Sequence, residues 1–212
     1  MVTLSIRTNA KPAKQFLTNL QKKQIPFATA RAITQTLQVA KVDVLKQLDK
    51  DIDRPTPFTR RGFRILPANK RTLRGLLFIM PKQADYLKYQ IFGGARLPKG
   101  QALALRPAKP GPGGIRLNRY GNVPPSQQAR ALLAKGAFSA TINGVAGIWQ
   151  APKKTKTGKI RKGSRMRLLL AYERQAVYTP RYRFFERGQN SIRVHFPDIF
   201  AKSFRNAVLT AR

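Results

Sequence analysis

Six apolar residues, Ile33, Leu37, Ala40, Val44, Leu48 and Ile52, recur at spacings of three and four. That period lines them up along one stripe of an α-helix. Pro26 suits the first turn, where a missing backbone N–H removes no hydrogen bond. Arg54-Pro55-Thr56-Pro57 cannot continue a helix and marks its end. The spacing thus predicts a helix of about seven turns, roughly 40 Å long. An element of that length sets the scale of the fold, because its stripe must be covered from end to end. Asp43, Asp49, Asp51 and Asp53 crowd toward its C-terminal end, where they oppose the helix dipole. Neighbouring or inter-subunit Arg and Lys are expected to compensate them.

The covering elements are sought along the rest of the chain. VTLSIRT (2–8) alternates like a short strand, and Lys11 to Gln24 reads as a short helix with Phe16, Leu17 and Leu20 on one side. Arg64 to Ala68 and Leu73 to Met80 read as two strands around Asn69-Lys70-Arg71, with LRGLLFIM dense enough for a central strand. Ala84, Leu87, Lys88 and Ile91 have helical spacing, closed by Gly93-Gly94. Residues 95–125 mix Pro and Gly with Arg and Lys and read as an irregular arm with one short strand at Ile115–Asn118. A short helix is expected over Gln127–Lys135. Strands 137–142 and 145–150 flank Asn143-Gly144, the strongest short-range hairpin signal. After a second basic loop, a long strand is expected over Leu168–Tyr178. Phe185, Ile192, Phe196, Phe200, Phe204 and Val208 then outline a C-terminal helix, with a break expected at Pro197. Together these describe one α+β domain over residues 1–212. Long N- and C-terminal helices pack on a small, mostly antiparallel sheet, with basic insertions at about 95–125 and 152–167.

Charge narrows the function. The 212 residues hold 42 Lys and Arg against 8 Asp and Glu, a formal net charge of +34. Residues 1–53 carry nine of the cations and four of the acids, so the excess lies almost wholly beyond them. Such an imbalance repels itself in the compact state, and a nearby polyanion relieves it. Hydrophobic residues make up 42% of the chain, too many for a disordered basic tail. The densest run is Lys153, Lys154, Lys156, Lys159, Arg161, Lys162, Arg165 and Arg167. It can follow a phosphate backbone without reading sequence, and its lack of aromatics argues against single-strand stacking. The same run also fits a solvated hairpin tip, or cations set against an acidic face of a neighbouring protein. A further cluster of Arg181, Arg183 and Arg187 around Tyr182, Phe184 and Phe185 has the composition of an interface anchor.

Catalytic chemistry has little to work with. There is no cysteine, which removes thiolate and Cys-based zinc sites. The single histidine, His195, sits between Val194 and Phe196 and reads as a packing or interface residue rather than a base. Asp49, Asp51 and Asp53 do not share a helix face, so they make no two-metal site. Gly111-Pro112-Gly113-Gly114 lacks the Lys-Ser/Thr and the helix of a phosphate-binding loop. No enzyme activity, metal or cofactor is expected. The start has no secretory signal pattern, and LLFIM (76–80) and LLLAY (168–172) are far short of a membrane span. A cytoplasmic protein, or one in a particle assembled there, is expected.

Five segments taken in order resemble the minor tail protein Z family of phage tail-completion proteins. They are IPFATARAITQTLQVAK (25–41), RPTPFTRRGFRI (54–65), YLKYQIFGG (86–94), the strand pair around NGVAGIW (143–149), and YTPRYRFFERGQ with FPDIFAKSFRNAVLTA (178–211). The resemblance implies a virion component of the tail or neck, made in the host cytoplasm. It implies rings of six or twelve copies around the DNA channel, joined to other neck, portal-adaptor or tail proteins, with double-stranded DNA as a partner and no membrane. Pro107, Pro110, Arg116, Arg119 and Tyr120 of the arm, with Arg181, Tyr182, Phe184 and Phe185, are then the expected subunit contacts. The long basic arm departs from shorter relatives. A free-standing ribosomal or chromosome-architectural protein explains the charge but not the low charge of residues 1–53. A nuclease lacks ligands, and a head-interior or adaptor location remains open.

Overall fold

A computed structural model describes residues 15, 18, 22, 24–97, 104–108 and 114–210. The expected strand at 2–8 lies outside these residues, as does most of the expected helix at 11–24. The elements, in chain order, are α1 (Ile25–Asp51), α2 (Pro57–Arg61), β1 (Phe63–Leu66), β2 (Leu76–Ile79), α3 (Pro81–Phe92), β3 (Gly94–Arg96) and β4 (Ala104–Pro107). A 3-10 turn (Pro125–Gln127) follows, then α4 (Ala129–Ala134), β5 (Phe138–Ile142), β6 (Val145–Gln150), β7 (Arg167–Glu173), β8 (Ala176–Tyr178) and α5 (Phe184–Leu209). The fold is α+β, with long N- and C-terminal helices and small antiparallel sheets. The contacts divide it into two compact units: residues 1–51, 57–85 and 182–212, and residues 52–56 and 86–181.

In the first unit α1 runs antiparallel to α5. Gln35 Oε1 accepts from Ser203 Oγ at 3.3 Å, and Asp43 Oδ2 accepts from Ser191 Oγ at 2.7 Å. The buried residues of α1 include Ala28, Ala32, Thr36, Ala40, Val44 and Leu48, every fourth position. On α5 they are Phe184, Gly188, Ser191, Ser203 and Ala207. The seam is therefore built of small residues, which let two backbones approach closely and fill the space between them without voids. Ala40, Val44 and Leu48 fall on it as their spacing predicts, Ile33 is half-buried, and Ile52 lies past the helix end. Thr36 is buried because its hydroxyl is satisfied within its own helix, by Ala32 O at 2.8 Å.

The Phe stripe of α5 is not the seam. Phe196, Phe200 and Phe204 are half-buried and stack on one another, with centroids 5.7 and 6.1 Å apart. The break expected at Pro197 does not occur either, and α5 passes through it. Pro197 is exposed, so the carbonyl one turn back that loses its N–H partner can turn to water.

An aromatic knot closes the far end of the pair. Phe63 is fully buried between Tyr182 (6.1 Å, interplanar angle 82°) and Phe184 (6.0 Å). The Tyr182 hydroxyl donates to Val44 O at 2.9 Å. Burial pushes this phenol well above its ordinary range, and the Asp51 and Asp49 carboxylates push it further in the same direction. Among the described residues β1 and β2 pair Phe63 with Ile79 through Leu66 with Leu76 and form a two-stranded sheet. The strand expected at 73–80 is shorter than expected, Leu76–Ile79, and among the described residues pairs with β1 alone. Leu66, Leu76, Phe78 and Met80 remain exposed on its outer face.

In the second unit β4, β7, β6 and β5 form a four-stranded antiparallel sheet in that order. Its core is Ile115, Ile148, Leu169 and Leu170, with Val123, Ala129, Leu132, Ala137 and Tyr172 against it. The Asn143-Gly144 turn is present as expected, with φ of 51° and 74°, the left-handed pair a two-residue hairpin requires. The arm at 95–125 is less irregular than its composition suggests. β4 pairs with β7, placing Pro107 opposite Leu170, and Ile115 makes only an isolated bridge residue where a strand was expected. Pro107 occupies the open-edge strand, where the absence of an N–H is tolerated. The long strand expected at 168–178 is two. β7 belongs to the four-stranded sheet, and β8 pairs with β3 in a separate one.

Candidate nucleic-acid interface

The eight cations of the 153–167 run lie on an ordered extension between β6 and β7, not on a slack loop. Its ladder is read from the backbone. Thr155 N donates to Lys159 O at 2.7 Å, Arg161 N donates to Lys153 O at 2.8 Å, and Lys154 bridges Ile160 antiparallel. Gly158, at φ 81°, lets the chain reverse, with its N–H donating to Thr155 O at 3.0 Å. The Thr155 hydroxyl bonds both Thr157 and Lys159 O, and a second turn at Arg161–Ser164 is tied back by Lys153 N to Ser164 Oγ at 2.6 Å. Thr, Ser and Gly thus supply the order, and the seven cations from Lys153 to Arg165 are left exposed.

All eight are exposed. Among the described residues no carboxylate pairs with any of Lys153, Lys154, Lys156, Lys159, Arg161, Lys162 or Arg165. Arg167, at the start of β7, reaches Gln150 Oε1 at 3.4 Å. Alternation along the two short arms puts Lys154 on the face of Ile160, and Lys153 with Arg161 on the other. Both faces are therefore cationic. Such a ribbon can reach phosphates on two sides at once, and a two-stranded ribbon is narrow enough to enter the major groove of a duplex.

The other expected contact residues separate. Tyr182 and Phe184 are 1% and 8% exposed within their own subunit, so they are not interface anchors. Their correction has a plain cause: an aromatic next to Arg looks alike in sequence whether it turns inward or outward. Phe185 is half exposed and rests edge-on against Phe184 at 5.1 Å. Arg181 is exposed, with its backbone N–H donating to Gln90 O at 2.7 Å. Arg116 and Arg119 are exposed, and the Arg119 guanidinium lies 4.7 Å from the half-buried Tyr120 ring. Pro107 is a sheet residue, and Pro110 lies outside the described residues.

The aspartates of α1 find local partners. Asp49 pairs with Arg60 at 2.7 Å, and Asp51 accepts from Gln47 Nε2 at 2.8 Å and from Arg183 N at 3.3 Å. Beyond the helix, Asp53 pairs with Arg54 at 2.8 Å, and this hydrogen-bonded partner holds its carboxyl below the usual range. His195 Nε2 stands 3.8 Å from Asp43 Oδ2, the oxygen that already accepts from Ser191 Oγ. A hydrolytic triad needs the imidazole between hydroxyl and carboxylate. Here the carboxylate is in the middle and Ser191 is buried, so the trio joins α1 to α5.

Among the described residues no three His, Asp or Glu converge as a metal site, and no helix is long and apolar enough to cross a membrane. The chain matches no protein-family model, no curated protein and no solved structure.

Proposed function

We propose that this is a non-enzymatic structural protein that holds double-stranded DNA through the 153–167 hairpin without reading its sequence. The observation that carries the reading is the hairpin itself: a hydrogen-bonded ribbon whose backbone is ordered while the seven cations from Lys153 to Arg165 have no carboxylate partner among the described residues. Unpaired cations on a fixed ribbon are pre-positioned for phosphates, and neutralising those phosphates releases counterions. The absence of aromatics from the ribbon favours duplex over single strand.

The setting we propose is the tail or neck of a phage particle, in a ring around the DNA channel. Two things support it. One is the ordered set of segments that resemble minor tail protein Z. The other is the exposed apolar face of Leu66, Leu76, Phe78 and Met80, which a free-standing nucleic-acid-binding monomer has no use for and an assembling subunit does. The alternative is such a free-standing architectural protein, and the hairpin alone suits both.

The deciding experiment combines duplex binding across a salt series with mass by light scattering at high salt. A steep linear fall of log K with log salt, with no preference among duplex sequences, is expected together with a defined oligomer. Sequence preference or a flat salt slope sinks the hairpin reading. A strict monomer with avid binding moves the setting to the architectural alternative.

A further inference from the structure

A different chemistry is collected on the helix pair of the first unit. A cleft of about 560 Å3 lies between Gln47 of α1 and the first turns of α5. The residues that line it all end in polar groups: the guanidinium groups of Arg183, Arg187 and Arg193, the carboxamides of Gln47, Gln189 and Asn190, and the carboxylate of Glu186. Arg187 has no side-chain partner among the described residues. Arg183 meets Glu186 only at 3.9 Å with both exposed, a pairing that water screens. Arg193 Nη2 donates to Asn190 Oδ1 at 3.0 Å, which orients that carboxamide. Asp51, just behind the cleft, is already used by Gln47 and by the Arg183 N–H.

The mixture of groups selects the ligand. A phosphodiester offers acceptors and no donors, so it leaves the oxygens of Gln47, Gln189 and Glu186 without a donor. A peptide offers N–H and C=O alternately, which carboxamides and a carboxylate can match, and an acidic side chain on it takes the two-pronged bond of a guanidinium. A second copy of this chain is poorly equipped to supply that side chain. Asp43, Asp49, Asp51, Asp53 and Glu173 are each paired and Asp85 is engaged, which leaves the exposed Glu186 and Asp198, two single acids twelve residues apart rather than a run that three guanidinium groups could hold. We propose that this cleft binds an acidic peptide segment of a different protein. The site is separate in ligand class from the hairpin and does not rest on the hairpin binding DNA.

The test is fluorescence anisotropy on the full chain at physiological salt, with a labelled peptide of alternating Glu and Gly and, separately, a labelled duplex. One variant carries Arg183→Gln, Arg187→Gln and Arg193→Gln. The other carries Lys154→Gln, Lys156→Gln, Lys159→Gln and Arg161→Gln. All seven side chains are exposed, and circular dichroism checks that both variants fold. Peptide affinity is expected to fall at least about tenfold in the first variant and to stay within about twofold in the second. The proposal is overturned if the peptide responds equally to both variants or only to the second, since the cleft is then just part of a general positive field. Replacing Arg187 with Lys keeps the charge and loses the fork. Full retention of peptide affinity in that variant overturns the two-pronged recognition. Loss of duplex binding by the second variant reports on the hairpin alone.

Discussion

The α1–α5 pair and the 153–167 hairpin use polar groups in opposite ways. On the pair, Asp43, Asp49 and Asp51 each meet a donor supplied by another element, and buried Ser191, Ser203 and Thr36 all have partners. On the hairpin, hydroxyls and backbone groups are matched to one another, but seven successive cations have no acid among the described residues. Paired polar groups at a close-packed seam fix the register of two helices. Unpaired ones on an ordered ribbon do nothing for its folding and are free for a ligand. The contrast separates cations that join elements, such as Arg60 at Asp49, from those of the hairpin, which join none.

The strongest way to break that contrast is to neutralise the hairpin. Changing Lys153, Lys154, Lys156, Lys159, Arg161 and Lys162 to Gln is expected to weaken duplex binding on the order of a thousandfold. Each lost phosphate contact should remove about 0.9 from the salt slope. The thermal midpoint should stay put, and a large drop in it would show that the cations do hold the fold. Leu48→Ala attacks the other side of the comparison. It empties a fully buried site on the seam and should cost about 2–5 kcal/mol in denaturant unfolding. Below its midpoint, duplex affinity should not change.

Tyr182→Phe is a smaller change, expected to cost about 1–2 kcal/mol through the lost bond to Val44 O. It also sharpens the pH behaviour. The folded phenol ionises above the unfolded value of 10.0, so its contribution is whole below that pH and is lost as pH rises further. The variant should unfold less steeply with pH in the alkaline range, and an unchanged alkaline profile would count against the burial argument. The mildest test is Gly144→Ala. It strains the left-handed turn between β5 and β6 by about 1 kcal/mol, measurable as a small shift in midpoint with duplex binding intact.

The long helix, its end at the Pro-rich stretch, the Asn143-Gly144 hairpin and the basic run at 153–167 were all legible from residue pattern, because each depends on neighbours close in sequence. The α+β class follows from those elements. Which side of α5 faces inward was not legible. A pattern of large apolar residues favours Phe196, Phe200 and Phe204, yet the seam runs through Gly188, Ser191, Ser203 and Ala207. Small and hydroxylated residues carry no hydrophobic signal, and their value appears only when a second backbone comes close enough to need them. Tyr182 and Phe184 likewise became core residues only through Phe63, more than a hundred positions earlier in the chain. The sequence alone therefore determined the local elements and the surplus of positive charge. The tertiary structure alone decided which polar groups that surplus leaves unpaired, because pairing depends on distance in space and not on order along the chain.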